Sequence, residues 1–259
     1  MTSELRLYLF RCGDLEIRGR PGGDYSIPVQ WYLITHPRGH VVIDGGNPVE
    51  VCEDPVARWG EVAHAAWPTM TRADGCLAQL ERLGLDPGEV RHVIQSHLHM
   101  DHTGAVAAID RLPAASVLIT REEYGYALAP DWFYRRNYFS ADFAKPGVRW
   151  DFLEAGEDGW DLFGDGAVTI WRTPGHSPGH VSVEVRLPNT GSVLLTIDAA
   201  HTVDQWEERA LSPVATSNSE VARSIRKLHR IAERSRSLVV FGHDGERLAS
   251  LKQAPDYYD

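Results

Sequence analysis

The stretch 96–102 reads Ser-His-Leu-His-Met-Asp-His, and it constrains the fold more than any other part of the sequence. His97, His99, Asp101 and His102 place imidazoles and a carboxylate close together, directly after an apolar run. Such nitrogen and oxygen donors are the ligands that zinc and similar divalent metals favour. Polar groups this crowded are costly to bury unless a common partner satisfies them all. The cluster therefore predicts a metal site at the end of a buried strand.

Length and composition allow a large core and argue against several classes of protein. The chain has 259 residues, of which 43% are hydrophobic, and a formal net charge of -10. The acidic balance disfavours a nucleic-acid surface, which needs a clustered basic face. Cys12, Cys52 and Cys76 are widely spaced without a C-x-x-C pair, so we expect neither a disulfide framework nor a thiolate metal site. Without a membrane-spanning run or a signal-peptide pattern, we expect a cytoplasmic protein with no membrane or nucleic-acid partner.

Short apolar runs alternate with helical stretches, which predicts a single α/β domain over residues 1–259. The clearest helix is Ser219–Arg234, where apolar residues recur at helical spacing. Further helices are expected at Gly75–Leu83 and from near Gly104, just after the metal cluster, and Asp54–Met70 is expected to be a long loop. The runs rich in β-branched residues predict strands at Val29–Thr35, His40–Ile43, Val90–Gln95, Val117–Thr120, Val168–Arg172, His180–Val185, Val193–Ile197 and Leu238–Phe241.

Further ligand-type side chains follow three later strands. His176, Asp198 and His243 each come shortly after a predicted strand ends, His176 after a Pro-Gly turn. Together with the first cluster they are enough to hold two metal ions with coordination positions left open for water and substrate. The predicted arrangement places His97, His99 and His176 on one ion, Asp101, His102 and His243 on the other, and Asp198 as the bridge between them.

The order of these motifs, preceded by Ile43-Asp44-Gly45-Gly46, resembles the metallo-β-lactamase superfamily. Its N-acyl-homoserine lactone lactonases, the quorum-quenching branch, are the closer match. The resemblance implies an αβ/βα sandwich of two mixed β-sheets flanked by helices, with Asp44 supporting a metal ligand from behind. It runs over nearly the whole chain and is carried by residues 27–37, 95–104, 130–133, 173–180, 196–200 and 254–258.

The resemblance implies a metal-dependent hydrolase that opens the lactone ring of N-acyl-homoserine lactones by attack of a metal-bridging hydroxide. The expected cofactors are two divalent metal ions per chain, zinc foremost, with manganese, iron or cobalt as alternatives. The expected partner is a small-molecule lactone. Because similar lactonases are dimers, the resemblance also implies a homodimer.

One position departs from the usual pattern of these lactonases. A tyrosine that orients or protonates the substrate usually sits three residues after the bridging aspartate, and this chain has His201 there. A histidine can also donate a hydrogen bond to a carbonyl or a proton to a leaving alkoxide, with an ordinary pKa of about 6.5. We therefore expect His201 to be catalytic together with Asp101 and Asp198. The alternative is that His201 only caps the strand end.

Substrate contacts are less constrained by the sequence. Met100 lies between two predicted ligands and is expected, with His201, to face the substrate. Trp31, Trp59 and Phe133 are candidates for an acyl-chain pocket, with the segment 54–70 as its wall, although such aromatic residues are as often core or dimer contacts.

Three alternatives remain open. The same chemistry could act on a simpler lactone such as γ-butyrolactone. A glyoxalase II-like thioesterase carries a similar metal motif but adds a C-terminal helical part that grips glutathione, whereas only the short segment 244–259 follows His243 here. A non-catalytic metal-binding or ligand-sensing module would be expected to close its coordination sphere with protein side chains.

Overall fold

The computed structural model describes residues 4–19, 22–154 and 158–259. Its strands are β1 (Arg6–Ile17), β2 (Tyr25–Thr35), β3 (His40–Ile43), β4 (Ala66–Thr69), β5 (Val90–Ile94), β6 (Ser116–Thr120), β7 (Trp150–Leu153), β8 (Gly159–Asp161), β9 (Val168–Arg172), β10 (Val181–Leu187), β11 (Gly191–Ile197) and β12 (Leu238–Phe241). Its α-helices are α1 (Pro55–Trp59), α2 (Cys76–Arg82), α3 (Gly104–Ala107), α4 (Arg121–Leu128), α5 (Ser140–Phe143), α6 (Val203–Trp206), α7 (Asn218–Ser235) and α8 (Gly245–Ala249). Short 3₁₀ helices cover Val49–Cys52, Gly60–His64, Arg72–Asp74, Pro87–Glu89, Ile109–Arg111 and Arg135–Asn137.

The described strands form two mixed sheets. The larger sheet has the order β4-β1-β2-β3-β5-β6-β7, and the smaller has the order β12-β11-β10-β9-β8. In the larger sheet β3, β5, β6 and β7 run parallel, and in the smaller sheet β11 and β12 run parallel. Parallel neighbours end at the same edge of a sheet, so the loops that follow β3 and β5 lie together, as do those that follow β11 and β12.

The core between the sheets is built from side chains that alternate along each strand. On β1, Leu7 and Leu9 pack against residues of the smaller sheet, whereas Tyr8 and Phe10 join the apolar cluster on the other face, which includes residues of α2 and α3. Successive side chains of a strand point to opposite faces, so a strand covered on both sides must be apolar throughout. This explains the continuous apolar runs that predicted the strands.

The helix α7 covers the outer face of the smaller sheet. Val221 and Ile225 pack with Phe241 of β12, and the hydroxyl of Ser217 accepts a hydrogen bond from a backbone N–H of the first turn. The helix extends the prediction Ser219–Arg234 by one residue at each end. No helix in the described residues is long and apolar enough to cross a membrane.

The sandwich architecture implied by the family resemblance is confirmed, but the prediction of a long loop at Asp54–Met70 is wrong. That segment forms α1, a 3₁₀ helix and β4, which pairs antiparallel with the end of β1. Its pieces are four or five residues long, too short for a helical or alternating apolar pattern to be visible. The strands β7 and β8 were missed because they are short and contain no β-branched residue.

Candidate metal centre

The predicted ligands converge at the edge of the sheets where β5, β11 and β12 end, joined by the turn after β9. Ligand atoms of three buried histidines lie within 4.8 Å of one another, and a second group with the same spacing contains a carboxylate. The first group is His97, His99 and His176, and the second is Asp101, His102 and His243. The structure thus brings together the two sets of residues that the sequence assigned to two ions.

Asp198 lies between the two groups. Its Oδ2 is 3.2 Å from Nε2 of His176 and 3.8 Å from Nε2 of His97. Its Oδ1 is 3.2 Å from Nε2 of His243 and 3.5 Å from Nε2 of His102. Each carboxylate oxygen therefore faces a different group, which is the arrangement that a bridging carboxylate needs.

Hydrogen bonds at Nδ1 orient two of the histidines. Nδ1 of His97 lies 2.9 Å from the hydroxyl of Ser96, and Nδ1 of His243 lies 2.8 Å from the backbone carbonyl of Pro28, to which it donates. A ring nitrogen held in this way sets the tautomer and turns Nε2 toward the metal, as is usual for histidine ligands. The local fold thus prepares both rings before any ion binds.

Asp44 performs the same task for His102. Its Oδ2 lies 2.8 Å from Nδ1 of His102, as expected from the early Asp-Gly motif. The turn that carries Asp44 is tight: a Cβ on Gly45 would lie 2.3 Å from the backbone nitrogen of Ala105, so only glycine fits there. The Asp-Gly motif therefore has two causes: the side chain of Asp44 contacts His102, and the backbone of Gly45 approaches that of Ala105 closely.

The backbone around Asp198 is strained and held from behind. Ile197 has a φ of 52°, which a β-branched residue rarely adopts. The backbone N–H of Asp198 donates to Nε2 of His180 at 3.1 Å, and Thr173 lies 2.8 Å from Nδ1 of that ring. Burial lowers the pKa of His180 to about 3, so the ring stays neutral and can accept this bond. The sequence favours a hydrogen bond of His180 within the loop of the site, as its contact with Thr173 shows, and the structure adds the contact with Asp198.

Several buried atoms at the site lack a hydrogen-bond partner. They include Nε2 of His97, Nε2 of His102 and Oδ1 of Asp198. Buried polar atoms without partners are rare and call for an explanation such as an ion.

The site also shifts the pKa values of its side chains. Burial lowers the pKa of His97 well below its ordinary value and that of His99 to about 4, which keeps both imidazoles neutral. Burial opposes ionisation of Asp198, but the surrounding histidines hold its pKa well below the usual range. Neutral imidazoles at His97 and His99 and an ionised carboxylate at Asp198 fit divalent cations. Burial opposes protonation of His102 and His243, but Asp198 and Asp101 raise the pKa of both, so an ion that binds them displaces their protons.

A buried carboxylate that the sequence did not reveal ties the ligand loops together. Glu123 on α4 is fully buried and accepts hydrogen bonds from the backbone N–H of Leu98 at 3.1 Å and of Gly179 at 3.2 Å. The hydroxyl of Tyr138 lies 3.4 Å away. Burial raises the pKa of Glu123. No local pattern distinguishes it from the partly exposed Glu122 beside it.

A cavity of about 540 Å³ opens onto the ligand cluster. Met100, Phe133 and His201 line it, as the sequence predicted. Predicted ligand residues that also line it are His99, Asp101, His176, Asp198 and His243. The cavity also has an apolar wall, of which the sequence analysis named only the segment 54–70. The apolar residues of this wall are Leu15, Ile17, Ile27, Val62, Ala65, Ala66 and Val214.

The structure does not place Trp31 and Trp59 at this cavity. Both are buried in the core on the outer face of the larger sheet, and the ring of Trp31 stacks on Phe10 with centroids 3.9 Å apart. Their assignment to the acyl-chain pocket is therefore corrected to a packing role. Ile27 and Trp31 lie on the same face of β2, four residues apart. Ile27 is near the start of the strand, paired with Leu15 of β1 at the cavity, whereas Trp31 is farther along the strand and packs on Phe10 in the core.

Comparisons with known proteins agree with this fold and with the cluster of histidines and aspartates. The model of the metallo-β-lactamase superfamily matches residues 26–243, and the chain belongs to that superfamily. The N-acyl homoserine lactonase AttM of Azorhizobium caulinodans is 48% identical over an alignment of 265 residues, gaps included, that covers 99% of this chain and 100% of that protein. The N-acyl homoserine lactonase of Bacillus cereus is 33% identical over 239 residues, covering 92% of this chain and 89% of that protein. Within the superfamily, the chain is a member of the N-acyl homoserine lactonase family.

Solved structures agree with this placement. An N-acyl homoserine lactone hydrolase with its product N-hexanoyl-L-homoserine bound at the catalytic metal centre has 28% sequence identity and a TM-score of 0.83, and the match covers 100% of both chains. A quorum-quenching N-acyl homoserine lactone lactonase has 27% identity and a TM-score of 0.82, with 100% of this chain and 99% of that one covered. The family expected from the sequence is confirmed.

Proposed function

We propose that this protein is a metal-dependent hydrolase that opens the lactone ring of N-acyl homoserine lactones. The observation that carries the proposal is the cavity, which has the histidine and aspartate cluster at its floor and an apolar wall beside it. The family membership supports the same reaction class.

The cavity matches the two parts of such a substrate. A volume of about 540 Å³ lies within the range of small-molecule sites. The polar floor suits the lactone ring and its carbonyl, whereas Ile17, Ile27 and Val62 offer an apolar surface to the acyl tail. Each methylene group that the tail buries contributes about 0.8 kcal/mol, so the wall can favour long-chain lactones over short ones.

The ligand set suggests how the reaction proceeds. Two divalent cations held by these side chains would supply Lewis acidity and water of lowered pKa. Water adds to the lactone carbonyl carbon, the ring C–O bond breaks, and the ring oxygen takes up a proton to leave an acyl-homoserine. We assign Asp101, Asp198 and His201 to catalysis because all three line the cavity. Met100 and Phe133 are assigned to substrate binding for the same reason.

Four finer expectations stay predictions: zinc as the metal, a homodimer, a cytoplasmic location and a single domain over the whole chain. Zinc is supported by the mixed imidazole and carboxylate donors of the site. The homodimer is supported by an exposed aromatic side chain, Trp132, which is 81% exposed.

A side-by-side assay tests the proposed activity. Metal-replete protein should hydrolyse N-hexanoyl homoserine lactone with a kcat/KM at least about tenfold above those for γ-butyrolactone and S-lactoylglutathione. Asp198→Asn should lose most of this activity because the neutral amide is a poorer bridging ligand. A preference for γ-butyrolactone or for the thioester would overturn the assigned substrate. Metal binding without turnover of any of the three would favour a binding module.

A further inference from the structure

The imidazole of His201 lies among the ligand side chains. Its Nε2 is 3.2 Å from Oδ2 of Asp198, the oxygen that also faces His176 and His97. The ligand atoms of His176, Asp198 and His201 lie within 4.8 Å of one another. That spacing is the same as the one that unites each of the two predicted ligand groups.

The nitrogen that faces the site is buried and unpartnered. Nε2 of His201 is shielded from solvent and has no hydrogen-bond partner among the described residues, like Nε2 of His97 and of His102. The side chain as a whole is 11% exposed and lines the cavity, so its exposed surface belongs to other atoms. A buried ring nitrogen without a partner is costly. This one lies beside the carboxylate of Asp198, as do Nε2 of His97 and of His102, and it shares Oδ2 with His97.

The backbone holds this ring in position. The N–H of His201 donates to Oε1 of the buried Gln205 at 2.7 Å, and its carbonyl accepts from the N–H of His243 at 2.9 Å. The backbone N–H of His201 is thus fixed to α6, and its backbone carbonyl is fixed to the predicted ligand His243. The approach of Nε2 to Asp198 is therefore built into the fold.

We propose that Nε2 of His201 is a metal ligand on the Oδ2 side of Asp198, next to His97 and His176. Imidazole is among the commonest metal ligands in proteins, and the tyrosine expected at this position from the family pattern has no ring nitrogen. The inference rests on the metal-binding part of the proposed function and adds one ligand to the seven that the sequence predicted. The competing explanation is a hydrogen bond from Nε2 to Asp198 without any contact to an ion.

Coordination would change the role that the sequence suggested for this residue. A histidine bound through Nε2 keeps its proton on Nδ1, from which it can donate a hydrogen bond to the substrate. Its Nε2 is then occupied by the ion and cannot carry a proton to the leaving oxygen.

Counting the metal-bound imidazoles in the unmodified protein tests the proposal. In protein loaded with an NMR-active cadmium isotope, ring protons of a coordinated histidine show scalar coupling to the metal. Six coupled imidazoles are expected, from His97, His99, His102, His176, His201 and His243. Coupling from the other five without His201 would overturn the proposal.

A pair of variants supplies a second measurement. His201→Phe keeps a ring of similar size but removes the ligand atom, and His64→Phe changes an exposed histidine outside the cavity as the matched control. The dissociation constant for one of the two zinc ions should rise at least about tenfold in His201→Phe and stay unchanged in the control. Unchanged constants for both ions in His201→Phe would overturn the proposal, and if that variant does not fold, the cadmium count decides.

These measurements need no lactone, so they separate the inference from the proposed function. Lactone hydrolysis by a protein whose cadmium form shows only five coupled imidazoles overturns the role of His201 alone. Six coupled imidazoles in a protein that hydrolyses no lactone support the ligand and overturn the activity.

Discussion

The carboxylate of Asp44 and the imidazole of His102 lie 2.8 Å apart, although 58 residues separate them in the chain. The same carboxylate accepts hydrogen bonds from the backbone N–H and the hydroxyl of Ser96, both at 2.7 Å. Asp44 has a φ of 64°, a left-handed conformation that Asp and Asn adopt more readily than most residues. It thus ties the turn after β3 to the ligand loop after β5 and keeps Nε2 of His102 directed at the site.

Asp44→Asn should weaken binding of the ion held by His102. The amide tolerates the left-handed backbone but lacks the charge that orients the imidazole, so we expect the affinity to fall about 10- to 100-fold. Competition with a chromophoric chelator measures this for each ion. Asp86→Asn, at an exposed turn, is the control. Equal affinities in Asp44→Asn and the unmodified protein would show that His102 needs no such support.

Gly242→Ala should displace the bridging carboxylate. A Cβ at this position would lie 2.6 Å from the carbonyl oxygen of Ile197 and 2.8 Å from Oδ1 of Asp198, closer than real contacts allow. Misplacing a catalytic group by about 1 Å can cost about 100-fold in rate, so we expect a loss of that size in kcat/KM together with lower metal content. In Gly245→Ala the nearest atom would be 3.8 Å away, and activity should be retained. Full activity in Gly242→Ala would show that the close approach of Gly242 to Asp198 is not needed to position the carboxylate.

Glu123→Gln should destabilise the fold around both ligand loops. The two carboxylate oxygens accept from the N–H groups of Leu98 and Gly179, and an amide can replace only one of these acceptors. A buried donor left unpaired costs about 1–3 kcal/mol, which urea unfolding of the variant should show. Glu122→Gln removes only the partly exposed pair with Arg172 and should cost less than about 1 kcal/mol. Equal losses in the two variants would argue against the linking role of Glu123.

Ile27→Ser should alter the preference for acyl-chain length. Ile27 lines the apolar wall of the cavity, and a hydroxyl there removes apolar contact from a long tail but leaves the lactone ring untouched. We expect KM for a decanoyl substrate to rise up to about tenfold, with a smaller change for a butanoyl substrate. Leu211→Ser, at a residue that is 77% exposed and outside the cavity lining, should change neither value. The same change in KM for both chain lengths would place the tail elsewhere.

Most of the predicted ligand residues could be found from the sequence because they lie close together in it or directly after a predicted strand. His97, His99 and His102 share one loop, so any fold that buries the preceding strand brings them together. The helix α7 was predictable for a similar reason, since its apolar stripe repeats at helical spacing over several turns. Glu123 could not be predicted, because its burial depends on loops that arrive from distant parts of the chain.

The sequence by itself predicted an α/β domain and the residues that converge at the candidate metal centre, since apolar patterns and motifs are local properties, and its resemblance to the family implied the sandwich architecture. Tertiary structure decided which oxygen of Asp198 each histidine faces and placed Nε2 of His201 on the Oδ2 side. It also placed Trp31 in the core and Ile27, on the same face of β2, at the cavity. Both residues are apolar, so the sequence pattern does not reveal which part of that face is covered by the core and which part borders the cavity. Only the pairing and packing of the sheets settle it.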